Sequence, residues 1–343
     1  MLEFPALRDH WYIACRSKRL RRTPLPFSLF GQPIVLFRSA GGKASALRDL
    51  CPHRNAPLSR GRLNGDRIAC PYHGWQFDGN GICRHVPGLD AEHCHATRNV
   101  ACYPTREQQG LVWIYGNPDR EPRSSPYRIP CLGEPGFRSL VVEFPVLAEL
   151  PDALENFLDA THTHLVHRGL VRRESRRRPV SVRVRGYGDR AEAEYVEEDS
   201  QESGFVSRLF GGGIDGSVDR FILPSIAQLE HRAGDQVKLM ITMILTPEDG
   251  NSLRVYAVAS GRASLLRYIQ AMTVGRLVLN HVIGQDREIL RLQALNRQRH
   301  ECAGYASTKL DLLRPHIMRL LRQGSADLSS ERVGAERQVE LFI

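Results

Sequence analysis

Cys51-Pro52-His53-Arg54 and, with sixteen residues between His53 and Cys70, Cys70-Pro71-Tyr72-His73-Gly74-Trp75 decide how this chain folds. Each segment joins one Cys to one His, as C-x-H in the first and C-x2-H in the second. Pro52, Pro71 and Gly74 suit tight loops whose backbone N–H groups can turn toward a bound ion. Around them run short β-rich stretches, 11–15, 33–37, 67–69 and 111–115, broken by Gly and Pro. That spacing predicts a small antiparallel β domain with both loops inside it.

The ligand chemistry follows from the pairing. Two thiolates on one iron and two neutral imidazoles on the other make a Rieske [2Fe-2S] centre, whose potential is raised by the exchange of Cys for His. Two facing loop tips would set Cys51 and Cys70 on the buried iron and His53 and His73 on the outer one. Two Cys and two His can also hold a tetrahedral zinc, but zinc spacings usually keep like ligands together. Cys83-Arg84-His85 is another C-x-H, and His93-Cys94-His95 follows. Neither has a C-x2-H partner, so both read as ordinary thiols and surface histidines.

With 343 residues, 42% of them hydrophobic and 25% charged, the chain exceeds what one core usually supports, and two domains are expected. The expected division is a Rieske domain over 1–135 and a catalytic domain over 136–343, with prolines 118, 122, 126, 130 and 135 marking the linker. No signal peptide or run of eighteen apolar residues stands out, and eight cysteines are too sparse for a disulfide scaffold. A reducing cytoplasm is expected. The net charge of +9 is almost all arginine, since only Lys18, Lys43, Lys238 and Lys309 occur. The densest run, Arg172-Arg173-Glu174-Ser175-Arg176-Arg177-Arg178, has no interleaved aromatics, which argues against nucleic acid. It reads as a solvated face or as a docking patch for an acidic electron donor.

Beyond the linker the pattern changes. Pro151-Asp152 opens a helix, residues 180–184 and 238–245 read as strands, and residues 263–299 take a helical period. The fold class is therefore α+β: an N-terminal antiparallel β Rieske domain, then an α+β catalytic domain with a central antiparallel sheet and flanking helices. On the helix after Pro151, Asn156, Asp159 and His162 recur every three residues and share a face. His167 lies about 140° further round and joins them only if the helix loosens or ends. His164 falls on the far side. Two histidines with a carboxylate suit a mononuclear non-haem iron with open positions. Asp286 sits inside an apolar stripe of α-helical period, where a buried carboxylate needs a cation; an arginine pair is the alternative, and Glu288 and Asp219 are fallback ligands. Asp159 could ligate, but it is also placed to accept the second N–H of a bound imidazole, the preferred role.

With these segments in hand, the chain resembles the terminal oxygenases of the Rieske non-haem iron family, in particular the vanillate O-demethylase type of single-subunit oxygenase. The resemblance runs from His10-Trp11-Tyr12 through both loops, Trp75 to Gly81 and Pro87-Gly88, to the Glu155-Asn156-x2-Asp159-x2-His162-x4-His167 pattern. It implies a [2Fe-2S] cluster and a mononuclear Fe(II), and a head-to-tail homotrimer in which one subunit's cluster serves its neighbour's iron through Asp159, with Asn156 close by. It also implies a separate NAD(P)H-dependent reductase or ferredoxin. The expected function is mono-oxygenation of an aromatic or other hydrophobic small molecule with O2, by hydroxylation or oxidative demethylation. The alternative is a Rieske-type electron-transfer protein with an appended binding domain. The G-x-G-x-x-G at residues 211–216 is no dinucleotide site, because an extended segment ending at Pro224 follows it where a helix is required.

Overall fold

The computed structural model describes residues 4–89, 95–168, 170, 177–196, 215–262, 275–300, 304–324, 334 and 336–343. His93, Cys94, Gly169, Arg172 to Arg176, residues 211–214 and residues 263–274 of the expected helix lie outside them. The chain divides into two compact units, residues 1–128 with 246–250, and residues 129–245 with 251–343. No described helix is long and apolar enough to cross a membrane.

The first unit is built from β1 (Trp11–Arg16), β2 (Leu25–Leu29), β3 (Gln32–Arg38), β4 (Ala44–Arg48), β5 (Arg62–Asn64), β6 (Arg67–Ala69), β7 (Gln76–Phe77), β8 (Cys83–His85), β9 (Cys102–Tyr103), β10 (Thr105–Gln108) and β11 (Leu111–Tyr115). They form three antiparallel sheets, ordered β1-β11-β10, β2-β3-β4-β9 and β5-β6-β7-β8. Val35, Phe37, Leu47, Ile68 and Phe77 are fully buried in one apolar cluster, each contributing on the order of 1.5–3 kcal/mol. Cys51 and Cys70 belong to that cluster, so hydrophobic packing itself holds both loop bases. Cys83 is buried there too, while His85 is exposed, as expected of a packing thiol and a surface histidine.

The second unit centres on an eight-stranded antiparallel sheet. Its strands are β12 (Arg138–Leu147), β13 (Pro179–Gly186), β14 (Arg190–Val196), β15 (Gly216–Ile222), β16 (Ile226–Ala233), β17 (Gln236–Pro247), β18 (Ser252–Gly261) and β19 (Arg337–Phe342), in the order β12-β18-β17-β16-β15-β14-β13-β19. On β13, Val180, Val182 and Val184 are buried between half-exposed Ser181, Arg183 and Arg185, the alternation of a strand with one face covered. Helices α1 (Leu150–Leu158), α2 (Arg276–His300) and α3 (Arg314–Gln323) flank the sheet, and α1 packs on β15, β16, α2 and α3. Pro151 occupies the first turn of α1 with Asp152 as its acid, as the sequence predicts. Asp152 is buried, however, and holds Arg297 of α2 at 3.1 Å and Arg314 of α3 at 3.2 Å.

Candidate metal centres

The two loops of the first unit close by the same pair of backbone hydrogen bonds. Cys51 N–H donates to Ala56 O at 2.9 Å and Asn55 N–H to Cys51 O at 2.8 Å; Cys70 N–H donates to Trp75 O at 2.8 Å and Gly74 N–H to Cys70 O at 3.1 Å. In both, the fifth residue is left-handed, Asn55 at φ 59° and Gly74 at φ 73°. Asn and Gly are the residues that enter that region at least cost. The composition of the second loop announces its turn, whereas the equivalent role of Asn55 went unread.

Cys51 and Cys70 are 1% and 5% exposed, while His73 is exposed and His53 partly so. Burial pushes the Cys51 thiol up to about 11, against backbone N–H groups of His53 and Arg54 that favour the thiolate, with Cys70 adding to the rise. A metal ion removes that obstacle by taking the sulfur as thiolate outright. Loss of hydration and the neighbouring His73 and Arg54 hold His53 below its ordinary range, which keeps its imidazole neutral and able to ligate. Nδ1 of His53 is buried without a hydrogen-bond partner, as an inward-facing donor atom would be. The His53 and His73 ring centroids are 4.4 Å apart. Trp75 stacks on His53 at 4.8 Å with 4° between planes, and Tyr72 lies 3.9 Å from His73. These two aromatic covers were not among the predicted site residues, although both sit within the quoted motif.

In the second unit, the helix carrying Asn156 ends sooner than its spacing predicts. It stops at Leu158, Asp159 takes an extended conformation (φ −92°, ψ 114°), and His162 to His164 form a separate 3-10 turn. The Asp159 carboxylate accepts the Thr161 N–H at 2.7 Å, the Thr161 hydroxyl at 2.7 Å and the His162 N–H at 3.2 Å, a local alternative to continuing the helix. The three-residue spacing of Asn156, Asp159 and His162 is therefore not a shared helical face. That break is what brings His167 round.

Asp286 reaches the same point from α2. Its Oδ1 is 3.0 Å from His167 Nε2 and 3.4 Å from His162 Nε2, and the two Nε2 atoms are 3.3 Å apart. Among the described residues these three form the one group of three or more His, Cys, Asp or Glu side chains with donor atoms all within 4.8 Å. Edges of this length suit one face of a coordination polyhedron with bonds of about 2.1 Å. Asp286 Oδ1 is buried without a hydrogen-bond partner, and no arginine faces it in the ion pairs of the described residues. Burial disfavours charge on His162, yet Asp159 and Asp286 outweigh it and push its pKa up to about 9. Burial likewise opposes ionisation of Asp286, and His162 and His167 more than reverse it, holding that carboxyl below its ordinary range. The trio attracts a cation strongly, and a metal ion would take the proton's place.

The surroundings refine the predicted set. Asp159 Oδ2 lies 3.5 Å from His162 Nδ1, too long for a well-formed hydrogen bond but close enough for attraction. Asn156 Oδ1 is buried without a partner and lines a cavity of ≈ 140 Å³ with Asp159, Thr161 and Tyr195. His164 is buried apart from the trio. Glu288 is an exposed partner of Arg291 at 2.8 Å, and Asp219 is buried in β15; neither joins the trio. The apolar stripe around Asp286 is shallower than its pattern implies, because of α2 only Asp286 and Leu290 are buried and Ile289 is 42% exposed. One neighbour was missed: Gln285 Oε1 is 3.0 Å from His167 Nδ1.

Comparison with known proteins supports both halves. The Rieske [2Fe-2S] domain family matches residues 10–104, and the vanillate O-demethylase oxygenase C-terminal domain family matches residues 148–323. The chain is 35% identical over 165 residues to the oxygenase component of dicamba O-demethylase of Stenotrophomonas maltophilia, covering 47% of this chain and 48% of that one. It is 28% identical over 288 residues to aminopyrrolnitrin oxygenase PrnD of Pseudomonas fluorescens, covering 81% and 74%. The chain spans about a quarter to a half of the length of the first curated relatives it matches. A crystal structure of dicamba monooxygenase bound to dicamba superposes with a TM-score of 0.79 over 93% of this chain and 98% of that one, at 24% identity, and so shares its fold.

Proposed function

The chain belongs to the Rieske oxygenases with a vanillate O-demethylase-type C-terminal domain, and on that premise we propose that it is a terminal oxygenase component. It uses O2 and reductase-supplied electrons to hydroxylate or oxidatively demethylate an aromatic or other hydrophobic small molecule. Cys51, His53, Cys70 and His73 hold the [2Fe-2S] cluster; His162, His167 and Asp286 hold the mononuclear iron. When bound, the two groups supply electron transfer and reductive activation of O2.

The chain's own residues set the conditions. Buried Cys51 and Cys70 and the outward His53 and His73 give one protected and one accessible end to the cluster site. His162, His167 and Asp286 contribute three donors from one side, which leaves the other side for substrate. Asp159 holds the His162 backbone and faces its Nδ1, while Asn156 offers an unpaired carbonyl beside them. The same reading carries a homotrimer, with Asp159 between neighbouring centres, a separate NAD(P)H-dependent reductase or ferredoxin, and a cytoplasmic location.

The observation that carries this reading is the convergence of three donor atoms at 3.0–3.4 Å in the second unit. An electron-transfer protein with an appended binding domain has no use for it. Oxygen uptake with a surrogate reductase, screened across aromatic substrates, tests the difference alongside EPR of the dithionite-reduced protein. Substrate-dependent uptake that His162→Ala abolishes while the cluster signal persists is expected. A cluster signal with no substrate-coupled uptake, or a colourless protein without iron and sulfide, would overturn it.

A further inference from the structure

We infer that Gln285 is a positioning residue for His167: its side-chain carbonyl accepts the Nδ1–H and thereby fixes which ring nitrogen faces the metal. The inference rests on His167 and Asp286 being iron ligands.

A neutral imidazole carries one proton, so Nε2 can offer its lone pair only when that proton is on Nδ1. His167 Nε2 faces Asp286 Oδ1 at 3.0 Å, and its Nδ1 faces Gln285 Oε1 at 3.0 Å. Two consecutive residues of α2 therefore address opposite nitrogens of one ring. The His167 side chain is 3% exposed, so bulk water is poorly placed to replace the amide. With an apolar side chain at 285, the Nδ1 proton would lose its partner, and a buried unpaired N–H is costly. The ring would then favour the other tautomer, in which Nε2–H donates to Asp286. That hydrogen bond consumes two of the three ligands at once.

The two imidazoles thus have unlike partners. His162 Nδ1 faces the Asp159 carboxylate at 3.5 Å, whereas His167 Nδ1 faces a neutral amide. A carboxylate partner raises ligand basicity more than an amide does. Glu at position 285 would keep the acceptor and add charge; Leu would keep the volume and remove the acceptor.

The test is Mn(II) binding to the full-length protein, with the cluster assembled and oxidised and the mononuclear ion first removed by a chelator. Binding is read from the loss of the free Mn(II) EPR signal. Gln285→Leu should weaken Mn(II) affinity by about 10–100-fold, the usual range for an outer-shell partner, and Gln285→Glu should restore it to within about threefold or better. Cluster absorbance and the melting curve report folding; if Gln285→Leu does not fold, Gln285→Ala is measured in its place against the same Glu variant. Parental affinity in the Leu or Ala variant overturns the inference. So does a folded Glu variant that binds as weakly as Leu, because side-chain packing would then be the cause. His167→Ala is the control: parental affinity there would defeat the ligand assignment itself, whereas lost affinity in His167→Ala with parental affinity in Gln285→Leu would defeat only the role of Gln285.

Discussion

Asp152 of α1 and Arg297 of α2 are joined at 3.1 Å, and this pair ties the helix that runs into the His162–His167 segment to the helix that carries Asp286. Tyr305 donates its hydroxyl to the same carboxylate at 2.7 Å, and Arg314 of α3 holds its other oxygen at 3.2 Å. Arg314 also bonds Glu155. One buried acid therefore gathers three side chains that lie 145, 153 and 162 residues further along the chain.

Asp152→Ala should destabilise the second unit by about 1–3 kcal/mol, because it removes the buried acceptor shared by Tyr305, Arg297 and Arg314, while Glu149 and Glu155 still face the two arginines. A melting curve that follows the catalytic unit separately from cluster absorbance checks this. A change below about 1 kcal/mol would mean that the network is no stronger than an ordinary surface pair.

Asp286→Ala should leave the cluster in place and empty the second centre. Iron analysis is expected to fall from about three to about two per chain, with sulfide unchanged at about two, since only the mononuclear ion is lost. Oxygen uptake coupled to substrate should drop by at least about 100-fold. Retention of the third iron would remove Asp286 from the ligand set.

Gly74→Ala should impair the cluster loop more than Asn55→Ala, although both positions are left-handed. At Gly74 a Cβ would come within 3.1 Å of Pro87 Cγ as well as meeting φ 73°, whereas Asn55 already carries a side chain at φ 59°. Asn55→Ala is expected to cost about 1 kcal/mol or less. Cluster occupancy, measured as visible absorbance per chain after expression, ranks the two; equal occupancy would contradict the argument.

Glu230 supplies a pH prediction. Burial disfavours its carboxylate, but Arg232 and Arg220, the latter at 2.5 Å, more than reverse this and hold its pKa below the ordinary range. A folded pKa below the unfolded one means that the pair stabilises fully above the unfolded value, about 4.3, and that this stabilisation fades as pH falls through the folded value. Glu230→Gln should therefore lower the melting temperature at pH 7, with the gap to the parent closing below about pH 4. A gap that stays constant from pH 7 to pH 3 would assign the effect to packing.

The candidate ligands of the first centre could be named because each Cys and His pair lies within a single loop. Cys51 with His53 and Cys70 with His73 are close in sequence, and the proline of each loop, with Gly74 in the second, advertises the turn; chemistry and local geometry are encoded by the same few residues. The strands at 11–15, 33–37, 67–69, 111–115, 180–184 and 238–245 were legible for a similar reason, since alternation and apolar runs report burial directly. His162 and His167 could be named from their types and spacing, but the helix drawn through them ends at Leu158, because the Asp159 carboxylate competes for backbone N–H groups that a periodicity rule assigns to the helix.

Sequence alone determined the residue types available to each metal, the two-part organisation and the antiparallel character of the sheets. Tertiary structure decided the contacts that no spacing encodes: Asp286 and Gln285 against His167, and Asp152 against Arg297 and Arg314. Each joins elements remote along the chain, and their meeting depends on how α1, α2 and α3 settle on the sheet, a sum over many packing interactions rather than a property of any one segment.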